Sequence, residues 1–478
     1  MSPWLQLIQE IESFPREIRH LRVSPQVDPE QIRAELESHY SFDTPMPLET
    51  LTEEVIRLLR TGTVHVTHPR YFGLFNPSVR QASIIADALA ALYNPQLAAW
   101  SHAPAANELE RLTLHRFARA LGMDAESLHA NFTTGGAEAN LSAVLAAFAR
   151  HIPAWSEEGL FAQQRRPAIY LTSETHHSFV KVARMTGLGT DALREIPTDS
   201  HLMMDIAALQ SRVEADRALG WHPLMIVGTA GTTSAGVVDP LEKLAEVARE
   251  YGMWFHVDAA WGGSVVLSAR LKAVASGIER ADSITWDAHK WLSVPMGAGM
   301  FFCRHPEAVK QAFAITTSYM PDAVAGSTVD PYATSAQWSR RAIGLKVFMA
   351  LAEIGVSGYA ELIERQAQMG DYLRRRLRQC GWEVVNETKL PVICFTHPDI
   401  QPGLLSTGEI LQTLYERGQV WISDVVLSNQ GRVLRACITS FHTNESDIEC
   451  LLEEIEFGRR SKPDASPLPD VAPNLTGD

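Results

Sequence analysis

From about residue 85 to residue 310, short apolar runs alternate with stretches whose apolar positions recur at helical spacing. The runs end at 168–171, 224–228, 254–257 and 299–302. Between two of them lies Pro240-Leu-Glu-Lys-Leu-Ala-Glu-Val-Ala-Arg, with apolar residues three and four apart. Asp239 is placed to N-cap this helix, and Pro240 suits its first position. Helix-length connections join parallel strands, so the pattern predicts an α/β fold with a mostly parallel central sheet covered by helices. Ligands of such sheets bind beyond the carboxyl ends of the strands. Thr233, Asp258 and His289 fall there in this reading.

The flanking parts read differently. Residues 1–80 are helical with breaks: Asp28 can cap the helix that Pro29 opens, and Thr52-Glu-Glu-Val-Ile-Arg-Leu-Leu continues in the same style. This segment is too thin for a core of its own and is expected to pack on a partner surface. A large α/β domain then spans 81–345. A long helix from 341 to about 377, a hairpin over 382–396, helices near 407–417 and 445–457 and further strands make a small C-terminal α+β domain, 346–460. Residues 461–478, rich in Pro, Ser and Asp, are expected to be a disordered tail.

Charge and cysteine usage narrow the partners. A net charge of −14 argues against nucleic acid or an anionic membrane. The five cysteines, Cys303, Cys380, Cys394, Cys437 and Cys450, form no C-x-x-C pair. Their odd number and scattered spacing fit reduced, mostly buried thiols in a cytoplasmic protein, with no metal site. The first 20 residues carry Glu10, Glu12 and Glu17 and lack the basic start and apolar core of a secretory signal. No stretch reaches the roughly 18 apolar residues of a membrane span.

The chemistry gathers around Lys290. It lies in Ser283-Ile-Thr-Trp-Asp-Ala-His-Lys290-Trp, at the end of an apolar run and directly after His289. Another run carries His256-Val-Asp258-Ala-Ala260-Trp. An amine at one strand end and a carboxylate at a neighbouring one suit pyridoxal 5'-phosphate (PLP). That cofactor takes a lysine amine in a Schiff base and an acid partner at its pyridine nitrogen. Thr133-Thr-Gly135-Gly136-Ala137-Glu-Ala-Asn opens a helical stretch. Glycines before a helix N-terminus let backbone N–H groups close on a phosphate, and the helix dipole favours the anion. The spacing is not that of the G-x-G-x-x-G dinucleotide fingerprint.

Asp-Ala-His-Lys-Trp at 287–291 and His-Val-Asp-Ala-Ala at 256–260 resemble the group II PLP-dependent decarboxylases. That family includes the aromatic-amino-acid, glutamate, histidine and cysteine-sulfinate decarboxylases. The resemblance spans about residues 65–345 and is weaker on both sides. It implies the PLP-dependent transferase fold type I (aspartate-aminotransferase-like), an intertwined homodimer with shared active sites, and α-decarboxylation of an L-amino acid to the amine and carbon dioxide. It assigns Lys290 to the Schiff base, Gly136, Ala137 and His289 to the phosphate, Asp258 to the pyridinium nitrogen, and Ala260 to the space under the ring. His177 matches the histidine that stacks on the other ring face and meets the substrate carboxylate. The family spacing from Ser173 to Val180 selects it over His176. Thr233 matches a hydroxyl near the ring. Tyr319 matches a tyrosine on a loop that closes over the neighbouring subunit's site and returns a proton to the α-carbon. Arg340 matches an arginine near the substrate; Arg341 beside it, or a plain structural ion pair, stays open.

Two segments depart from the aromatic branch where the substrate side chain would lie: Tyr71-Phe-Gly-Leu-Phe-Asn76-Pro and Ser101-His-Ala-Pro-Ala-Ala-Asn-Glu. The resemblance therefore carries no aromatic specificity, and the choice of L-amino acid stays open. So do other outcomes on the same cofactor: an aldehyde synthase, an aminotransferase, or another α-carbon lyase. Tyr319 favours the amine, because aldehyde-forming members of the family often lack a tyrosine there. A non-enzymatic binding role is disfavoured by Lys290, Asp258, His289 and the glycine loop standing together.

Overall fold

The computed structural model describes residues 1–315, 317 and 328–461. Tyr319 and residues 462–478 lie outside the described residues.

The central sheet has seven strands: β1 (His129–Thr133), β2 (Pro167–Leu171), β3 (Leu193–Glu195), β4 (His222–Thr229), β5 (Trp254–Asp258), β6 (Ser283–Asp287) and β7 (Gly299–Cys303). Their order is β1-β7-β6-β5-β4-β2-β3. The strands from β6 to β3 pair in parallel, whereas β7 runs antiparallel to both β6 and β1. The cause lies in the connection: β6 and β7 are joined by residues 288–298, which hold no helix. So short a link reverses the chain, and Lys290 sits on it. Strands β2, β5, β6 and β7 are buried along their whole length, as expected of a sheet covered on both faces. The helix Gly136–His151 packs across one face through Ala139, Ala143, Val144, Ala147 and Phe148.

The expected cap at Asp239 is corrected by the structure. The helix is Leu241–Tyr251, with no side-chain cap. Asp239 instead accepts from the backbone N–H groups of Met204 and Thr229, each at 2.8 Å. It ties the end of β4 to a neighbouring loop, and burial pushes its carboxyl up to about 6.

The N-terminal segment contains the helices Pro3–Glu17, Pro29–His39 and Leu48–Gly62. Asp28 caps the second through the N–H groups of Glu30 and Gln31. Arg60 joins the first and third by pairing with Glu10 and Glu17. Beyond Val392–Thr396 (β9, paired with β8, Glu383–Val384) the chain adds β10 (Ser423–Leu427) and β11 (Gly431–Cys437). These four strands form an antiparallel sheet in the order β10-β11-β9-β8. The helices Thr407–Arg417 and Glu445–Arg460 both open with a capping box, Ser406 with Glu409 and Asn444 with Asp447. This part has its own core, including Leu373, Trp382, Leu434 and Ile448. The long helix Gly344–Gln379 leads into it and kinks at Gly355, whose φ of 65° breaks the helical run. No described helix is long and apolar enough to cross a membrane. All five cysteines are free, with Cys303, Cys394 and Cys437 buried.

Candidate active site

Beyond the carboxyl ends of β4, β5 and β6 lies a cavity of about 270 Å³. Its wall includes Gly135, Gly136 and Ala137, then Thr233, Asp258 and Ala260, and finally Asp287, His289 and Lys290. Strand ends at the same sheet edge bring these groups together, although they are scattered over more than half of the central region. Among the described residues, Lys290 is the only lysine on the wall. Its Nζ lies 3.2 Å from Asp287 Oδ2 and 5.8 Å from the centre of the Phe75 ring.

Asp258 is buried at the end of β5. Its Oδ1 accepts from Ala260 N–H (3.1 Å) and its Oδ2 from Asn140 Nδ2 (2.9 Å). His289 Nδ1 accepts from the Ala298 N–H at 3.2 Å, so the neutral ring carries its hydrogen on Nε2. That nitrogen lies 3.7 Å from Asp287 Oδ2, and burial lowers the His289 pKa.

The residues present fit PLP on four observations. The helix Gly136–His151 starts at the cavity with no side-chain cap, leaving its first N–H groups for an anion. A Cβ at Gly136 would sit 2.9 Å from Asp287 Oδ2, so any side chain there would push the Asp287 carboxylate aside. Thr229 and Asp287 line the cavity, and Thr229 Oγ1 and Asp287 Oδ1 are buried with no partner among the described residues. The amine of Lys290 and the carboxylate of Asp258 share the cavity wall, as a Schiff-base lysine and a pyridine partner must.

A second cavity, of about 430 Å³, adjoins the first and shares His176 and Thr233 with it. His177 faces this second space, whereas His176 reaches both. The structure thus places His176, not the sequence choice His177, on the wall that holds Lys290. Both residues lie just before the helix Ser178–Met185.

Arg435 was missed by the sequence reading. It lies on β11, buried, with Nε donating to Ser234 O and Nη1 to Gly73 O, each at 3.0 Å. Its guanidinium lies 5.0 Å from the Phe75 ring centre. The residue lines the second cavity, and its Nη2 is buried with no partner among the described residues. The signal was present: Val433-Leu-Arg435-Ala-Cys puts a charge inside an apolar strand. Asn140 and Asp287 were missed as well; the first interrupts an alanine-rich helix and the second belongs to the lysine motif itself.

Of the alternatives left open for Arg340, the structure shows the ion pair: it donates through Nη1 to Glu110 (2.7 Å) and through Nη2 to Phe132 O (3.2 Å), and it does not line the cavity of Lys290. Its side chain is 2 % exposed, so the charge is spent on a buried ion pair. Arg341 points outward and lies 3.5 Å from Asp87.

The family model described as "Pyridoxal-dependent decarboxylase conserved domain" matches residues 29–397. An aromatic-L-amino-acid decarboxylase of Bacillus atrophaeus is 26 % identical over 469 residues, covering 94 % of this chain and 95 % of that protein. The acidic amino acid decarboxylase GADL1 of Mus musculus is 26 % identical, covering 90 % of this chain and 80 % of its own. Among solved structures, Oryza sativa TDC with PLP and tryptamine superposes with a TM-score of 0.89 at 25 % identity, covering 96 % and 97 % of the two chains. Mouse CSAD in apo form gives 0.86 at 25 % identity, covering 95 % and 98 %. The family match runs through all seven strands of the central sheet and the loop that carries Lys290, and by it this chain belongs to the pyridoxal-dependent decarboxylases.

Proposed function

We propose a division of labour in this PLP-dependent decarboxylase, which converts an L-amino acid into its amine and carbon dioxide. PLP, when bound, supplies the electron sink that accepts the pair left at the α-carbon. Lys290 anchors the cofactor covalently. Asp258 holds a negative charge at the pyridine nitrogen and keeps it protonated. Gly136, Ala137 and His289 hold the phosphate, and Ala260 leaves room beneath the ring. One imidazole of the pair His176 and His177 would cover the cofactor ring, with Thr233 near it. Tyr319 returns a proton to the α-carbon. The observation that carries this reading is the shared cavity of Lys290 and Asp258 at the uncapped helix start. The test is a panel of L-amino acids supplied to the PLP-loaded protein. Amine and carbon dioxide are expected in equal amounts without oxygen uptake. Aldehyde with oxygen consumption, or amino transfer to a keto acid, would overturn it.

Arg435 is the proposed ligand of the substrate carboxylate, because this buried guanidinium lines the cavity that adjoins that of Lys290 and its Nη2 has no partner among the described residues. Arg435→Lys keeps the charge but loses the fork. One charge-assisted hydrogen bond corresponds to roughly a ten- to hundredfold rise in KM, with kcat less affected. Equal KM values for the variant and the wild type, from initial rates, would exclude the role.

The working form is proposed to be a cytoplasmic homodimer. Trp4, Leu5, Ile8, Leu48 and Leu59 are exposed apolar residues on the first and third helices. A face of this kind on a helical arm supports cover by a second copy. Sedimentation is expected to give twice the chain mass. Mixing a Lys290→Ala chain with a Tyr319→Phe chain tests sharing across the dimer. If Tyr319 serves the partner's site, one site of the heterodimer carries both lesions and the other neither. About half of the wild-type activity per heterodimer is then expected. No recovery after verified subunit exchange would place Tyr319 in its own chain's site.

A further inference from the structure

We propose that Asn140 is a positioning residue that holds the Asp258 carboxylate in place, at the end of a one-way hydrogen-bond chain starting at Trp254. This rests on the reading of Asp258 as the partner of the pyridine nitrogen.

The direction of the chain follows from what each group can do. An indole Nε1–H only donates. Trp254 gives it to Ser283 Oγ at 2.8 Å. The Ser283 hydroxyl is thereby free to donate its own hydrogen to His256 Nδ1, also at 2.8 Å. The neutral imidazole then carries its hydrogen on Nε2, which lies 3.1 Å from Asn140 Oδ1. Thr285 Oγ1 donates to the same oxygen at 2.7 Å. With its oxygen committed to these two donors, the Asn140 amide must present Nδ2 to Asp258 Oδ2 at 2.9 Å and to Ser178 Oγ at 3.0 Å. The reverse amide would set its oxygen against a carboxylate and its NH₂ against two donors. Every member is buried, so water cannot substitute for a lost partner. The same burial lowers His256 to about 4 and keeps its ring neutral.

The backbone explains why these groups meet. His256 and Asp258 are two apart on β5 and share a face of the sheet. Ser283 and Thr285 are their register partners on β6. Asn140 reaches this polar seam from one turn inside the helix whose start lines the cavity. One amide thus joins the element proposed to hold the phosphate to the carboxylate proposed to hold the ring nitrogen, which fixes the spacing between the two ends of the cofactor.

The experiment uses full-length holoenzyme reconstituted with PLP labelled with ¹⁵N in the ring. Solid-state NMR reads the protonation of that nitrogen, equilibrium titration of the apoprotein reads PLP affinity, and thermal melting is recorded alongside. Asn140→Asp keeps the shape but replaces the donor with a like charge. It is expected to weaken PLP binding about tenfold or more and to move the nitrogen signal away from that of the wild type. An unchanged signal and affinity, with or without a lower melting temperature, overturns the proposal. Asp258→Asn is the control. If it moves the signal and Asn140→Asp does not, only the role of Asn140 fails; if neither does, the reading of Asp258 fails. Should the Asn140 variant not fold, neutron diffraction from wild-type holoenzyme decides. Deuterium on His256 Nε2 and two deuterons on Asn140 Nδ2 facing Asp258 and Ser178 are expected. Deuterium on His256 Nδ1, or a reversed amide, overturns the chain.

Discussion

Lys290→Ala is expected to abolish the covalent link between protein and cofactor and to lower turnover by at least about 10³-fold, the scale lost with a covalent catalyst. No other lysine among the described residues lines the cavity, so none of them offers a neighbouring amine to take its place. PLP should still bind, more weakly, because the helix start at Gly136, His289 and Asp258 all remain. Borohydride reduction followed by peptide mass spectrometry separates these effects. The wild type is expected to gain the cofactor mass on the peptide that contains Lys290, and the variant on none. The variant also leaves Asp287 buried without the cation 3.2 Å away, with one oxygen already lacking a partner among the described residues. A lower melting temperature of the apoprotein is therefore expected too. Turnover within tenfold of the wild type would remove Lys290 from the mechanism.

The parallel part of the sheet was legible because a fully covered strand must be apolar on both faces, and a run such as 224–228 has few other uses. The first strand, His129-Ala-Asn-Phe-Thr, mixes polar and apolar residues, and β3 is three residues long; neither makes a run. The lysine and aspartate motifs were legible because polar groups clustered at the end of an apolar strand have no packing role there. Arg435 and Asn140 were not, since each matters through partners distant in the chain: Gly73 and Ser234 for the first, Asp258 and His256 for the second. The same limit kept the reading of Arg340 open between a substrate ligand, which the resemblance implied, and a structural ion pair: the carboxylate that meets it, Glu110, lies on a helix far away in sequence. Between His176 and His177 the difficulty is one of direction. Adjacent residues in a turn point different ways, and spacing in a motif does not say which ring enters a cavity.

Asp258→Asn is expected to leave the fold intact, weaken PLP binding and lower kcat by roughly 10²- to 10³-fold, as when one fixed electrostatic partner is removed. Two losses combine. The amide carries no negative charge to keep the ring nitrogen protonated, so the electron sink is poorer at the moment the carboxylate departs. The amide also cannot satisfy both present donors. Ala260 N–H and Asn140 Nδ2 each give a hydrogen to one carboxylate oxygen, and an asparagine would turn an NH₂ towards one of them. Equilibrium PLP titration and single-turnover rates at saturating cofactor distinguish weaker binding from slower chemistry. A cofactor analogue methylated at the pyridine nitrogen separates the charge from the hydrogen bond, because its ring is cationic without an acid partner. With the smaller Asp258→Ala variant, which leaves space for the methyl group, that analogue is expected to restore part of the rate that ordinary PLP does not. If Asp258→Asn with bound PLP turned over at the wild-type rate, the charge at the end of β5 would have no part in decarboxylation.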